Sequence, residues 1–226
     1  MRGPRRAASD RAERHPMDLI FVRHGESSAN VEGRLQGQRD YPLTRRGRSQ
    51  ALALAAWSER AGLSWDAVYC SPLSRAKETA EIVTQARGSA LPVECSDLRE
   101  FDAGALQGLL HHQIRERFPE FFERELSEYA DYSRWGGESY DAISERVGRV
   151  RALFEAGHRQ TADRVLVVGH GGFGTEVVKH LVCHPAPRSF NVTFGNCTAM
   201  LVRMSERLQT YGGRLLWQIP VEQMRQ

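Results

Sequence analysis

The first apolar run of the chain, Leu19-Ile20-Phe21-Val22, stops abruptly at Arg23-His24-Gly25. A short run of β-branched and aromatic residues ended by polar residues and Gly predicts a strand over about residues 18–23. Arg164-Val165-Leu166-Val167-Val168-Gly169 is a longer apolar run, as in a parallel strand buried on both faces, and it breaks at His170-Gly171-Gly172. Residues 67–70 and 91–94 read as two short strands, and 197–204 and 215–219 as the last two. Between them the apolar period changes to that of a helix. Ala51, Leu54, Ala55, Trp57 and Ala61 follow Thr44, a plausible N-cap, and Gly62 ends the run. Leu73, Ala76, Ala80 and Val83 share one face after Ser71-Pro72, and a third helix runs from Gly171 to about Val182. From near Glu138, a long helix carries Tyr140, Ile143, Val147, Val150, Leu153 and Phe154 on one side. The Gly-, Asn- and Gln-rich stretch through Asn30, Gly33, Gln36 and Gly37 reads as a loop. Strands alternating with helices predict an α/β three-layer sandwich, a mainly parallel central sheet flanked by helices. The irregular, aromatic-rich stretch at about 101–137 reads as a small helical lid insertion.

Composition narrows this picture. The 226 residues suit one such domain over residues 17–226, and no apolar run is long enough to cross a bilayer, so no membrane partner is expected. The net charge of +3 sits in residues 1–16, which hold five arginines against Asp10 and Glu13; beyond them 26 basic residues face 26 acidic ones. That balance implies no basic face and no nucleic-acid partner. Residues 1–16 lack the apolar segment of a secretory signal and read as a disordered extension, with Met17 an alternative start. Cys70, Cys95, Cys183 and Cys197 are widely spaced, with no Cys-x-x-Cys pair, which predicts free thiols in the cytoplasm rather than a disulfide framework or a zinc site.

Ligands in an open α/β sheet bind outside the carboxyl ends of the strands. Three strand ends therefore converge: Arg23-His24-Gly25, Ser71-Pro72 with Arg75, and Gly169-His170-Gly171, joined by Arg99-Glu100 from the loop that follows. The residue types suit phosphoryl chemistry. A neutral imidazole at His24 can attack phosphorus, while Arg23 and Arg75 hold its oxygens. His170, cationic beside a bound anion, adds a donor, and the helix beginning at Gly171 points backbone N–H groups at the same place. Glu100, protonated beside the anion, can supply a proton to the leaving oxygen. These groups already provide the positive charge a metal would bring, so no metal and no cofactor is expected. His111 and His112 are adjacent on a helical stretch and face different ways, which argues against shared ligation.

The Arg23–Ser27 signature, Asn30, the loop from Gln36-Gly37 to Pro42-Leu43-Thr44, Ser71-Pro72 with Arg75 and Thr79, Arg99-Glu100, Gly136-Gly137-Glu138-Ser139 and Gly169-His170-Gly171 together resemble the histidine phosphatase superfamily, also called phosphoglycerate mutase-like. The resemblance covers residues 17–219. It implies that His24 is the phosphorylated nucleophile, that Arg23, Arg75 and His170 bind the phosphoryl group with Asn30 in support, and that Glu100 is the proton donor. One departure is Leu106-Gln107, where many relatives carry an aromatic residue before the Gly matching Gly108.

Hydrolysis of a small phosphorylated metabolite through a phosphohistidine is the leading expectation. A 2,3-bisphosphoglycerate-dependent mutase and a non-catalytic phospho-ligand module are the alternatives, and a homodimer is left open. Mutases of the family have a long insertion where the interval from Glu100 to Gly136 is short. Within residues 111–135, Glu116, Glu120, Glu123, Glu125, Glu128 and Asp131 outnumber Arg115, Arg117, Arg124 and Arg134, a poor lure for a bisphosphate. The aromatics Phe118, Phe121, Phe122, Tyr129, Tyr132 and Trp135 suit an apolar or sugar-ring face, or else pack the lid onto the domain.

Overall fold

The computed structural model describes residues 16–124, 129–158, 164–183, 194–207, 210–220 and 224. Most of the N-terminal extension, residues 1–15, lies outside them. Six strands form one sheet: β1 (Met17–Arg23), β2 (Ala67–Cys70), β3 (Val93–Glu94), β4 (Arg164–Gly169), β5 (Ala199–Arg207) and β6 (Thr210–Ile219), in the order β3-β2-β4-β1-β5-β6. Strands β3, β2, β4 and β1 pair in parallel, whereas β5 pairs antiparallel with both β1 and β6. The sheet is therefore mixed, and its parallel part carries the site. Among the described residues no helix is long and apolar enough to cross a membrane.

Alternation along the central strands makes two cores. Leu19 and Phe21 of β1, Val165 and Val167 of β4, and Met200 and Val202 of β5 face one side. They pack there against helix α5 (Tyr140–His158), through Ile143, Val147, Val150 and Phe154, and helix α6 (Gly171–Val182), through Phe173, Val177 and Val178. The intervening Ile20, Val22, Leu166, Val168, Ala199 and Leu201 face the other side, against helix α2 (Arg45–Arg60) and helix α3 (Ser74–Arg87). This is the expected three-layer sandwich. Leu153, read as part of the buried face of α5, is 36% exposed and flanks that face.

The stretch after His24 contains a helix that the sequence reading took for loop: α1 (Ser28–Glu32). It is held by a reciprocal capping box in which the Ser27 hydroxyl accepts from the Asn30 N–H and the Asn30 side chain accepts from the Ser27 N–H. Five residues give too little periodicity to detect, and Ser27-x-x-Asn30 was the available signal. Helix α2 starts where Thr44 predicts, its hydroxyl accepting from the Gly47 N–H. Helix α3 starts at Ser74 rather than Ser71, because the Ser74 N–H is satisfied from a distant loop by Asp40 Oδ1 at 2.9 Å. The lid consists of helix α4 (His111–Arg117) and single 3₁₀ turns at Gly104–Leu106, Pro119–Phe121 and Ser133–Trp135.

Adjacent positions on α5 provide a test of this packing. Phe154 is 1% exposed and meets the Tyr69 ring edge-to-face at 5.7 Å. Phe154→Ala should cost roughly 3–5 kcal/mol of unfolding free energy in a urea titration, while Leu153→Ala should stay within about 1 kcal/mol. Equal losses would contradict the assignment of faces.

Candidate active site

The carboxyl ends of β1, β4 and β2 are stitched together by main-chain hydrogen bonds. The His24 N–H donates to Gly169 O at 2.9 Å, and the Ser71 N–H to Val168 O at 3.0 Å. This brings His24 and His170 edge-to-face, with ring centroids 5.2 Å apart. His24 Nδ1 lies 2.7 Å from Gly25 O. A carbonyl only accepts, so Nδ1 carries the ring proton and Nε2 presents a lone pair. Arg75 Nε sits 3.3 Å from that nitrogen. Burial, then the charges of Arg75 and Arg23, hold the imidazole well below the usual histidine range, so it is neutral.

His170 Nε2 lies 2.8 Å from Ser71 Oγ, which also accepts from the Leu73 N–H. The hydroxyl has one proton and two lone pairs, so it can donate to Nε2 or accept from it, and Nδ1 has no hydrogen-bond partner among the described residues. Ser71, noted in the sequence only as part of a motif, thus holds the His170 ring in place. His170 is neutral rather than cationic: burial, then Arg75, His24 and Arg23, lower its pKa well below 6.5. The sequence reading assumed an anion already in place.

Arg75 is a buried cation and Arg23 a half-buried one. Arg75 is fully enclosed and donates to Gly37 O and Arg39 O, both at 2.8 Å, and burial lowers its pKa to about 10. Arg23 donates to Phe194 O at 2.5 Å and keeps a buried Nε with no partner; burial lowers its pKa as well. Neither forms an ion pair among the described residues. Both line a cavity of about 380 Å³ with His24, Asn30, Glu100 and Gly171. A Cβ on Gly171 would approach Arg23 Nε to 3.3 Å, so the absent side chain gives the guanidinium its room. Asn30 Oδ1 is taken by Ser27 and Asn196, which leaves its amide N–H groups for the cavity.

Glu100 departs from expectation. Its Oε1 accepts from the N–H groups of Phe101 at 3.0 Å and Phe173 at 2.7 Å, and its Oε2 from that of Gly172 at 3.0 Å. The first turn of α6, expected to donate to a phosphate, thus donates to Glu100 instead. A Cβ at Gly172 would meet Glu100 Oε1 at 2.9 Å, so this contact requires glycine.

The lid also corrects the sequence reading. None of the lid acids that are described lines the cavity. Glu120 accepts from Trp135 Nε1 and Asp131 from Ser133, while Glu125 and Glu128 lie outside the described residues. Phe121, Tyr132 and Trp135 pack together around Arg124, whose guanidinium carbon lies 4.0 Å from the Phe121 ring centre. Tyr129 and Tyr132 do reach the cavity wall, as do Arg34, His111, Thr175 and Phe194, which no motif marked. His111 therefore belongs to the rim.

A profile of the histidine phosphatase superfamily (branch 1) matches residues 19–211, and the chain belongs to that family. It is 36% identical over 165 residues to a metal-independent phosphoserine phosphatase of Arabidopsis thaliana, covering 72% of this chain and 67% of that protein. It is 32% identical over 191 residues to a probable phosphoglycerate mutase of Salmonella paratyphi A, covering 84% and 86%. The structure of a mycobacterial glucosyl-3-phosphoglycerate phosphatase in complex with VO3 superposes with a TM-score of 0.75 at 28% identity, covering 89% of this chain and 98% of that one.

The two depressed imidazoles fix a pH dependence. In the unfolded chain they titrate near 6.5. Below that pH the unfolded chain binds protons that the folded chain refuses, so the stability they contribute is complete above about pH 6.5 and is lost as pH falls toward their folded values. The slope is at most about 1.4 kcal/mol per pH unit for each. His170→Gln, which can keep a bond to Ser71, should show a shallower decline between pH 6.5 and 5 in urea titrations. A slope equal to wild type would contradict this.

Proposed function

We propose that the protein hydrolyses a small phosphate monoester through a phosphohistidine at His24. The observation that carries this reading is a neutral imidazole whose unprotonated Nε2 is met by Arg75 Nε, beside a second guanidinium, Arg23, neither of them with a carboxylate partner among the described residues. Nε2 attacks phosphorus as the P–O bond to the leaving group breaks. Arg23, Arg75 and the Asn30 amide hold the oxygens on which charge spreads, with the His170 ring behind them. Three of the roughly four lone-pair positions of the Glu100 carboxyl are taken by N–H donors, so one position on Oε2 remains for a proton. The bound dianion, a like charge, favours protonation there, and this proton goes to the leaving oxygen. Glu100, now ionised, takes a proton from water as the water oxygen attacks phosphorus. The P–N bond breaks, phosphate leaves, and both groups return to their starting states.

The cavity admits a phosphoryl group and a small leaving group. Phosphatase-named relatives support a phosphorylated metabolite as substrate, and Tyr129, Tyr132, Phe101 and Phe194 in the wall favour one with an apolar or ring face. Four cysteines without a disulfide fit a reducing compartment, the cytoplasm.

Rapid quench with 32P-labelled substrate should trap an acid-labile, alkali-stable adduct in the wild type and none in His24→Ala, whose kcat should fall by several powers of ten. Label on another residue would overturn the assignment. With 3-phosphoglycerate and 2,3-bisphosphoglycerate, little 2-phosphoglycerate should form. Isomerisation faster than any hydrolysis across a panel of phosphorylated metabolites would make the protein a mutase instead.

A further inference from the structure

Arg146 lies on α5, on the far side of Glu100 from the cavity, and is 4% exposed. Every polar atom of its guanidinium is engaged. Nε and NH2 donate to the two oxygens of Glu138 at 2.9 and 2.7 Å, and NH1 donates to Asp97 O at 3.0 Å and Arg99 O at 2.5 Å. Glu138 passes the restraint on, since its Oε2 also accepts from the Asp102 N–H at 2.8 Å. The chain is thus gripped immediately before Glu100 and two residues after it. The guanidinium further lies 3.9 Å from the centre of the Phe173 ring, and the Phe173 N–H is one of the donors to Glu100.

A buried ion pair contributes little net stability once desolvation is counted. This pair spends its hydrogen bonds on the backbone around one side chain, where small displacements matter most: an error of about 1 Å in a reacting group can cost 100-fold in rate. Building on the reading of Glu100 as proton donor, we infer that Glu138 and Arg146 are positioning residues that hold the Glu100 carboxyl at the leaving-group oxygen. They touch neither substrate nor reacting atoms and act through Glu100.

The test is leaving-group dependence. Phenyl phosphate needs a proton on its departing oxygen, whereas p-nitrophenyl phosphate departs readily as the anion. In Glu100→Gln, kcat/KM should fall on the order of 100-fold or more for phenyl phosphate and far less for p-nitrophenyl phosphate. Arg146→Lys and Glu138→Gln should show the same bias, on the order of 10- to 100-fold for phenyl phosphate and a few-fold for the other. Combining Arg146→Lys with Glu100→Gln should add nothing to the bias. Should Glu100→Gln show no bias, the donor reading falls and this inference with it. Should Glu100→Gln show the bias while Arg146→Lys and Glu138→Gln slow both esters equally, or neither folds, the pair is merely structural and only the positioning inference is overturned.

Discussion

Two guanidinium groups set around one imidazole are the constraint that the rest of the site answers to. Desolvating a cation is costly unless something opposes it, and among the described residues neither Arg75 nor Arg23 forms an ion pair, Glu100 acting on both only as a nearby charge. Main-chain carbonyls oppose it instead: Gly37 and Arg39 for Arg75, Phe194 for Arg23. Carbonyl dipoles fix the guanidinium groups in place without neutralising them, so a positive field persists where a dianion would bind. Burial first, and that field after it, keep His24 and His170 unprotonated, which for His24 is the state the proposed nucleophile requires. In the proposed mechanism one arrangement thus serves both the anion and the nucleophile.

The first turn of α6 is the other source of positive potential, and it is assigned to Glu100 rather than to the ligand. This separates two tasks that would compete if both used one set of donors. Two N–H groups of that turn, those of Gly172 and Phe173, fix the carboxyl, while Gly171 itself lines the cavity. A carboxyl held at one point by backbone amides differs from one on a mobile loop, and in the proposed mechanism it hands over and retrieves a proton at the same place in successive half-reactions.

Much of this was legible in the sequence, and the physical reason is periodicity and punctuation. Strands β1 and β4 are apolar on both faces and stop at Arg23-His24 and His170-Gly171, so their extent, burial and the meeting of their carboxyl ends could be read, though not the order of the strands. Helix α1 could not, because five residues carry no period and its capping box uses Asn30 in place of the usual acid. The placement of charge in the lid was also hidden: sequence counts acids in residues 111–135, but only packing shows that Glu120 and Asp131 turn to partners of their own. Ser71 and Glu138 stood out only as members of motifs, and Arg146 not at all, for a third reason. Each acts across a large sequence separation on a backbone atom or a ring nitrogen, and such contacts leave no local signature.

The departure at Leu106-Gln107 now has a physical meaning. Leu106 is buried in the core, and Gln107 does not line the cavity. Its Oε1 accepts from the Gln38 N–H at 2.5 Å, and its Nε2 donates to Asp102 Oδ1 at 2.9 Å. Gln38 in turn donates to the carbonyl of Glu100 at 3.1 Å, while its neighbours Gly37 and Arg39 are the carbonyls that hold Arg75. The loop through residues 37–39 therefore ties the anion-binding guanidinium to the carboxyl that faces it, with Gln107 as the polar tie to the base of the lid. An aromatic side chain at position 107 could pack against this loop but could not both accept from Gln38 and donate to Asp102. The spacing between Arg75 and Glu100 is thus set by hydrogen bonds through the loop at 37–39, and in the proposed mechanism that spacing places the leaving-group oxygen that receives the proton.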